Sequence, residues 1–434
     1  VLALRLARGS HPGVQFRRLL VATATAATGF LLLGTLGHAL AHQDTAGGSA
    51  LRLAWCLAPM AATVYFAVAV ARTDPGTRPR PGLSAIGLGP ARLMAVSAAT
   101  TALSCLLGSM LALLFFLHLR GDLTGMPFDG DAADFLAADH PLPLPAALTL
   151  LTLVPAAASL SVALTLRPRD PRPTPGNRPR LRPYNASGRR AAQTADTSAS
   201  IDAPATTPGY AETPAQEPAP SPPTDPNPLP APNPTPRDLP WGIAVLAAGL
   251  AVEAYAGRDP HTPGLTIPGG ATGSPAAVLA GWTLTALGLA LAGPGLTHLC
   301  GRLLQAVRPG ALRLLAGRVL MAEATRIGRP LGVVCAVASG AYAMVTLYDA
   351  DDPSLGPLTA LGALVVAGCT IATLLTAAVE ARAARADTTA ALLRLGAPAT
   401  TLRTAAALRA TALLALFVPL TFLIAELAAL PLTA

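Results

Sequence analysis

The chain has 434 residues, 52% of them hydrophobic and only 12% charged, with a mean hydropathy of +0.49 and a net charge of +8. Globular domains carry about 25% charged residues, so the composition excludes an ordinary soluble protein. The positive charge does not point to nucleic acid, because the Arg residues flank apolar stretches instead of gathering on one face.

Nine apolar stretches read as membrane spans, the fifth of them short: Leu19–Leu40, Leu53–Ala71, Leu93–Leu117, Leu144–Leu166, Trp241–Ala256, Pro275–Leu299, Leu331–Leu347, Leu358–Val379 and Ala405–Leu427. About 20 apolar residues cross a hydrocarbon core of about 30 Å as a helix. The fold class expected is therefore an all-α integral membrane protein. Pro59, Pro155, Pro294 and Pro419 are expected to kink their spans, with neighbouring helices re-satisfying the freed carbonyls.

The connections alternate in charge. Arg5, Arg8, Arg17 and Arg18 precede the first span, and Arg72, Arg78, Arg80 and Arg92 lie between the second and third. Arg-rich segments also follow the fourth, sixth and eighth spans. The other connections are neutral or acidic, as in the Gly121–Pro141 loop with Asp122, Asp129, Asp131, Asp134 and Asp139. The positive-inside rule then places the N-terminus and the Arg-rich loops in the cytoplasm of a multi-pass cell-membrane protein. The acidic loop, with Phe128 and Phe135, reads as a solvated connector or as a small partner-binding surface.

Residues 167–239 are rich in Pro, Ala and Thr, and include "PAQEPAPSPPTDPNPLPAPNPTPRDLP". Too few apolar side chains are present to offset the entropy of ordering, so a disordered cytoplasmic tether is expected. A proline-rich docking motif is the alternative. The tether divides the chain into a first membrane half (1–166, four helices), a connecting helix pair (240–300) and a second half (301–434, three helices). "ALRLARGSHPGVQFRRLLVATATAATGFLLLG" from Ala3 matches "ALRLLAGRVLMAEATRIGRPLGVVCAVASGAYAM" from Ala311 in layout. Each has an Arg-bearing amphipathic opening, a break at Pro or Gly, then a span. This is an internal repeat, a common basis for transporter folds.

Between the eighth and ninth spans, "ADTTAALLRLGAPATTLR" is half polar. Leu392, Leu393, Leu395 and Leu402 would share one side of a helix and Arg394 and Arg403 would point elsewhere. Gly396 stops the first short helix and Pro398 can start the next. Ile86, Leu88, Gly89 and Arg92 repeat the pattern before the third span. Such a segment is either a lever on which a partner pushes or an interfacial anchor, with Leu in the headgroup zone and Arg snorkelling. The element Leu392-Leu393-Arg394-Leu395-Gly396-Ala397, with the looser Ala85-Ile86-Gly87-Leu88-Gly89, resembles the coupling element of the FtsX-like permease family, the membrane subunits of MacB-like and bacitracin-exporter-like ABC systems.

That resemblance implies a permease subunit whose cytoplasmic coupling elements dock on a separate ATPase chain. Its substrate would be a lipophilic compound, lipid or peptide, exported or extracted by force transmitted across the membrane. The coupling residues would be Ile86, Leu88, Gly89, Arg92, Leu392, Leu393, Arg394, Leu395, Gly396 and Arg403. ATP and Mg would sit on the partner, with no cofactor on this chain. That agrees with its lack of any Lys, since a Walker A loop needs one to reach the phosphates. A second permease copy is a further candidate partner. The chain departs from the family in lacking a large extracytoplasmic domain, and its second half has one span fewer than the first. The alternatives to a permease are a non-transporting membrane regulator or scaffold and a proton-coupled secondary transporter.

Ionisable residues within spans mark functional sites by default, which singles out Glu253 and Glu426. Both are expected within about two turns of the outer surface, within reach of water, given the 1.5 Å rise per residue. The five cysteines and the outward-clustered histidines have no metal-ligand spacing, and no catalytic fingerprint is present. No enzymatic activity is therefore expected of this chain.

Overall fold

The computed structural model describes residues 12–44, 46–74, 90–123, 130–133, 135–167, 238–256, 275–306, 310–347 and 356–433. Among these residues the fold is all helical, with no strand. The helices in chain order are α1 (Pro12–Ala41), α2 (Ala46–Trp55), α3 (Leu57–Thr73), α4 (Pro90–Arg120), α5 (Leu144–Thr165), α6 (Leu239–Ala256), α7 (Pro275–Ala306), α8 (Ala311–Leu347), α9 (Pro357–Ala384), α10 (Ala386–Arg394) and α11 (Ala399–Thr433).

Eight helical stretches are long and apolar enough to cross a membrane: Gly13–Ala41, Gly47–Thr73, Ala91–Arg120, Leu144–Thr165, Leu279–Ala306, Ala311–Val345, Pro357–Ala384 and Ala399–Ala429. They make the chain a multi-pass membrane protein. Helices suit this setting because every backbone N–H and C=O is satisfied within the segment. Thr and Ser hydroxyls follow the same logic by bonding carbonyls of their own helix, as Thr25 does to Val21 and Thr373 to Cys369. Large apolar side chains face outward along the bundle, among them Trp241 at 72% and Leu364 at 70% exposure. A water-facing surface would not carry so continuous an apolar coat.

Four expectations need correcting. The fifth stretch forms α6, which is apolar but falls below the length of the other eight. No break separates the amphipathic opening from the seventh span, since α8 runs unbroken through Gly328 and Pro330. The connection between the first and second spans, Leu40 to Leu53, is not all loop, because Ala46–Trp55 is helical. Pro59 sits in the first turn of α3, where its missing N–H costs no helical bond. The tether lies outside the described residues, apart from its ends at 167 and 238–239.

The helices pack in two sets. In the first, α1 lies along α4, while α5 contacts α1, α3 and α4. Leu33, Ala112, Phe116, Leu136, Ala147 and Leu151 form one core there. In the second, α7 is clasped between α6 and α8, and α11 lies along α8, around Leu289, Cys335, Phe417 and Ile424. Helix α9 belongs to neither alone: it packs on α8 and also on α3 and α1. Its Val365 and Cys369 complete a core with Val21, Phe66, Ala67 and Cys105.

At the acidic loop, Gly121 (φ +89°) ends α4. The N–H of Asp122 bonds the Leu117 carbonyl and that of Gly121 the His118 carbonyl, a Schellman stop. The buried Arg120 donates to the His140 carbonyl and pairs with Asp122 at 3.3 Å, clamping the loop to the helix end. Phe135 is exposed on this loop, and Phe128 lies outside the described residues.

Candidate functional site

Arg385 both ends α9 and starts α10, at φ −95° and ψ −5°, so the two helices are almost continuous. Asp387 lies in the first turn of α10 and Arg394 in its last, the charge order that complements a helix dipole. The helix stops where the sequence predicts. Gly396 takes φ +86°, a left-handed conformation costly for residues with a Cβ. The Ala397 N–H bonds the Leu392 carbonyl and the Gly396 N–H that of Leu393, so the turn is a Schellman motif. Pro398 then leads into α11.

No residue of α10 is buried. Leu395, at the tip of the turn, is 84% exposed, and Leu393 is exposed beside it. Leu392 and Leu402 are half-buried, while Arg394 and Arg403 are exposed. The matching element before α4 is only partly visible. Arg92 is exposed in the first turn of α4, whereas Ile86, Leu88 and Gly89 lie outside the described residues.

The root of α10 is fixed by charges that sequence reasoning did not single out. Arg385 Nε lies 3.0 Å from Glu323 Oε1 on α8 and also donates to the Ala381 carbonyl. Glu323 is only 8% exposed. Arg409, on α11, bears electrostatically on both Glu323 and Arg385. A more exposed pair, Arg326–Glu380 at 3.6 Å, again joins α8 to α9. The first set of helices has its own link at the same Arg-rich end. Arg18 of α1 pairs with Asp74, just past α3, at 2.5 Å, and Arg17 donates to Thr73. One sequence signal could have exposed Glu323: it is the sole acidic residue in the Arg-rich stretch from 302 to 329.

The two carboxylates proposed as a membrane site are not brought together. Glu253 is 2% exposed, sealed between α6 and α7, so it is not within reach of water as expected. Thr285 donates to its Oε1 at 3.0 Å, and its Oε2 has no hydrogen-bond partner. Burial follows from Gly281, across which the side chain lies: a methyl group there would meet the Glu253 side chain. Glu426 is exposed and accepts a hydrogen bond from Tyr342 at 3.1 Å. Among the described residues no group of three metal-ligating side chains converges.

Compared with protein families, curated proteins and solved structures, the chain gave no match to any.

Proposed function

We propose that the chain is the permease subunit of an ABC transporter, built from two FtsX-like halves and driven by a separate ATPase that pushes on α10 from the cytoplasm. The observation that carries this reading is an amphipathic helix with no buried residue, ending in a Leu395 tip and rooted in an ion pair to a span. Apolar side chains held this far from any core suit docking on a partner. A plain surface anchor would not need a buried charge at its root.

The helix neighbours support two related halves. Helix α1 lies along α4 as α8 lies along α11, and the two second spans, α3 and α9, meet each other. The offset that places Ala3 on Ala311 also carries Arg18 onto Arg326. Each of these arginines pairs with a carboxylate at the end of the following span, Asp74 or Glu380. In this reading α6 and α7 are a connecting pair, and the cargo is a lipophilic compound, lipid or peptide moved by helix tilt.

The test has two parts. A Leu395→Cys chain in intact cells should react with a membrane-impermeant maleimide only after the membrane is opened; labelling from outside ends the proposal. The purified chain should also co-purify with an ABC ATPase and change its ATP turnover, and Arg394→Glu should remove that change. Unaltered turnover in Arg394→Glu removes α10 from the coupling path.

A further inference from the structure

We infer that Glu323 and Arg385 form the hinge pin through which a push on α10 becomes movement of α8 and α11, which makes both positioning residues for coupling. This rests on the permease reading above, since it names how the force leaves α10.

The argument starts from the break at Arg385. Two helices that meet at one turn residue can bend there, and α10 itself offers little resistance, because none of its residues is buried. What resists is the Arg385 side chain, which reaches across to Glu323 while its backbone starts the first turn of α10 through Thr389 N–H. The Glu323 carboxylate is largely shielded from water, so the pair is little screened and strongly directional. Three cations bear on it: Arg385 from the α9–α10 junction, Arg409 from α11 and Arg326 from α8 itself.

Helix α11 is the continuation of α10 beyond the Gly396 turn. The carboxylate that holds the root of α10 therefore also bears on Arg409 of the helix that α10 leads into. Swinging α10 away would draw Arg385 from a poorly hydrated carboxylate, and breaking such a pair is strongly unfavourable. The Arg326–Glu380 pair joins the same two helices, yet it is longer and more open to solvent, so it cannot carry the same constraint.

The test is a charge swap on the full chain: Arg385→Glu, Glu323→Arg and the double variant, with Glu323→Gln as a milder change should a reversal prevent folding. Nitroxides at Leu312→Cys on α8 and Leu393→Cys on α10, both exposed positions, report the distance distribution between the two helices; the five native cysteines are buried. We expect each single reversal to broaden that distribution about twofold and the swap to restore it, the signature of a direct pairwise coupling. Glu323→Gln should broaden it less. In the complex with the ATPase, the single variants should still bind the partner but lose its change in turnover, and the swap should recover it. Singles that leave the distribution unchanged overturn the pin, as does a swap no better than the worse single. If the wild-type chain binds no ATPase, the permease reading fails, while the distance measurement still decides whether the pin exists.

Discussion

The α6–α7–α8 layer and the α1–α3–α9 contact solve one problem in two ways. Helices in lipid gain little from burying apolar surface against each other, so they associate by close packing or by hydrogen bonds. In the first region the backbones touch. A methyl group on Gly242 would come within 2.8 Å of Ala292 Cα, one on Gly288 within 2.6 Å of Leu246 Cα, and one on Gly328 within 2.6 Å of Pro294 Cα. In the second region side chains bridge the gap: Thr28 and Thr63 hydroxyls lie 2.9 Å apart, and Thr63 lies 3.8 Å from Cys369 Sγ. The first arrangement permits one register only. The second tolerates small shifts, which suits α9, the span that ends at the α10 hinge.

The largest effect is expected where backbone meets backbone. Gly332 on α8 faces the Leu289 carbonyl of α7, which cannot give way as a side chain could. Gly332→Leu should destabilise the fold by the ~3 kcal/mol upper end of overpacking or more. The readout is the fraction of chain still monodisperse in detergent after heating. A thermal midpoint close to wild type would mean that the α7–α8 contact is loose, and the contrast with α1–α3–α9 would vanish.

A smaller effect is expected in the hydroxyl-bridged region. Thr63→Val keeps shape while removing the central hydroxyl, and interhelical hydrogen bonds in membranes average about 0.6 kcal/mol with a maximum near 1.7. The same heating measurement should show a loss of about 1 kcal/mol, well short of Gly332→Leu. A larger loss for Thr63→Val than for Gly332→Leu would invert the comparison.

How far these regions could be read from sequence follows from the range of the forces involved. Hydropathy is local, so the apolar stretches, the shortness of the fifth among them, and the stop at Gly396 are legible in the sequence. Helix ends were read too short, because Arg-bearing turns such as Ala311–Pro330 continue the helix past the hydrocarbon. The seven-residue spacing of Gly242 with Gly249, and of Gly281, Gly288 and Gly295, was present in the sequence and could have suggested the α6–α7 contact. Arg385 with Glu323 was not legible, since 62 positions separate them and only the packing of α9 on α8 joins them. The same holds for α9 beside α3, which no local pattern announces.

The smallest expected effect, that of Glu253→Gln, tests what the close-packed region does to a charge. Glu253 lies where Gly281 allows α6 and α7 to approach, with Thr285 as its hydrogen-bond donor and, among the described residues, no charged side chain bearing on it. Burying a carboxylate with so little compensation is unfavourable, so the close packing holds Glu253 in place and is not itself held by it. Glu253→Gln keeps the Thr285 bond and the side-chain volume, and should leave stability to heating unchanged or raise it by up to about 1 kcal/mol. Thr285→Val removes the donor that Glu253 has among the described residues and should cost more, about 1–3 kcal/mol for the unsatisfied oxygen. If Glu253→Gln instead lowered stability by more than about 2 kcal/mol, the charge would be what joins the pair. A cation partner for Oε2 would then have to exist, and the glycines would be a consequence of the contact, not its cause.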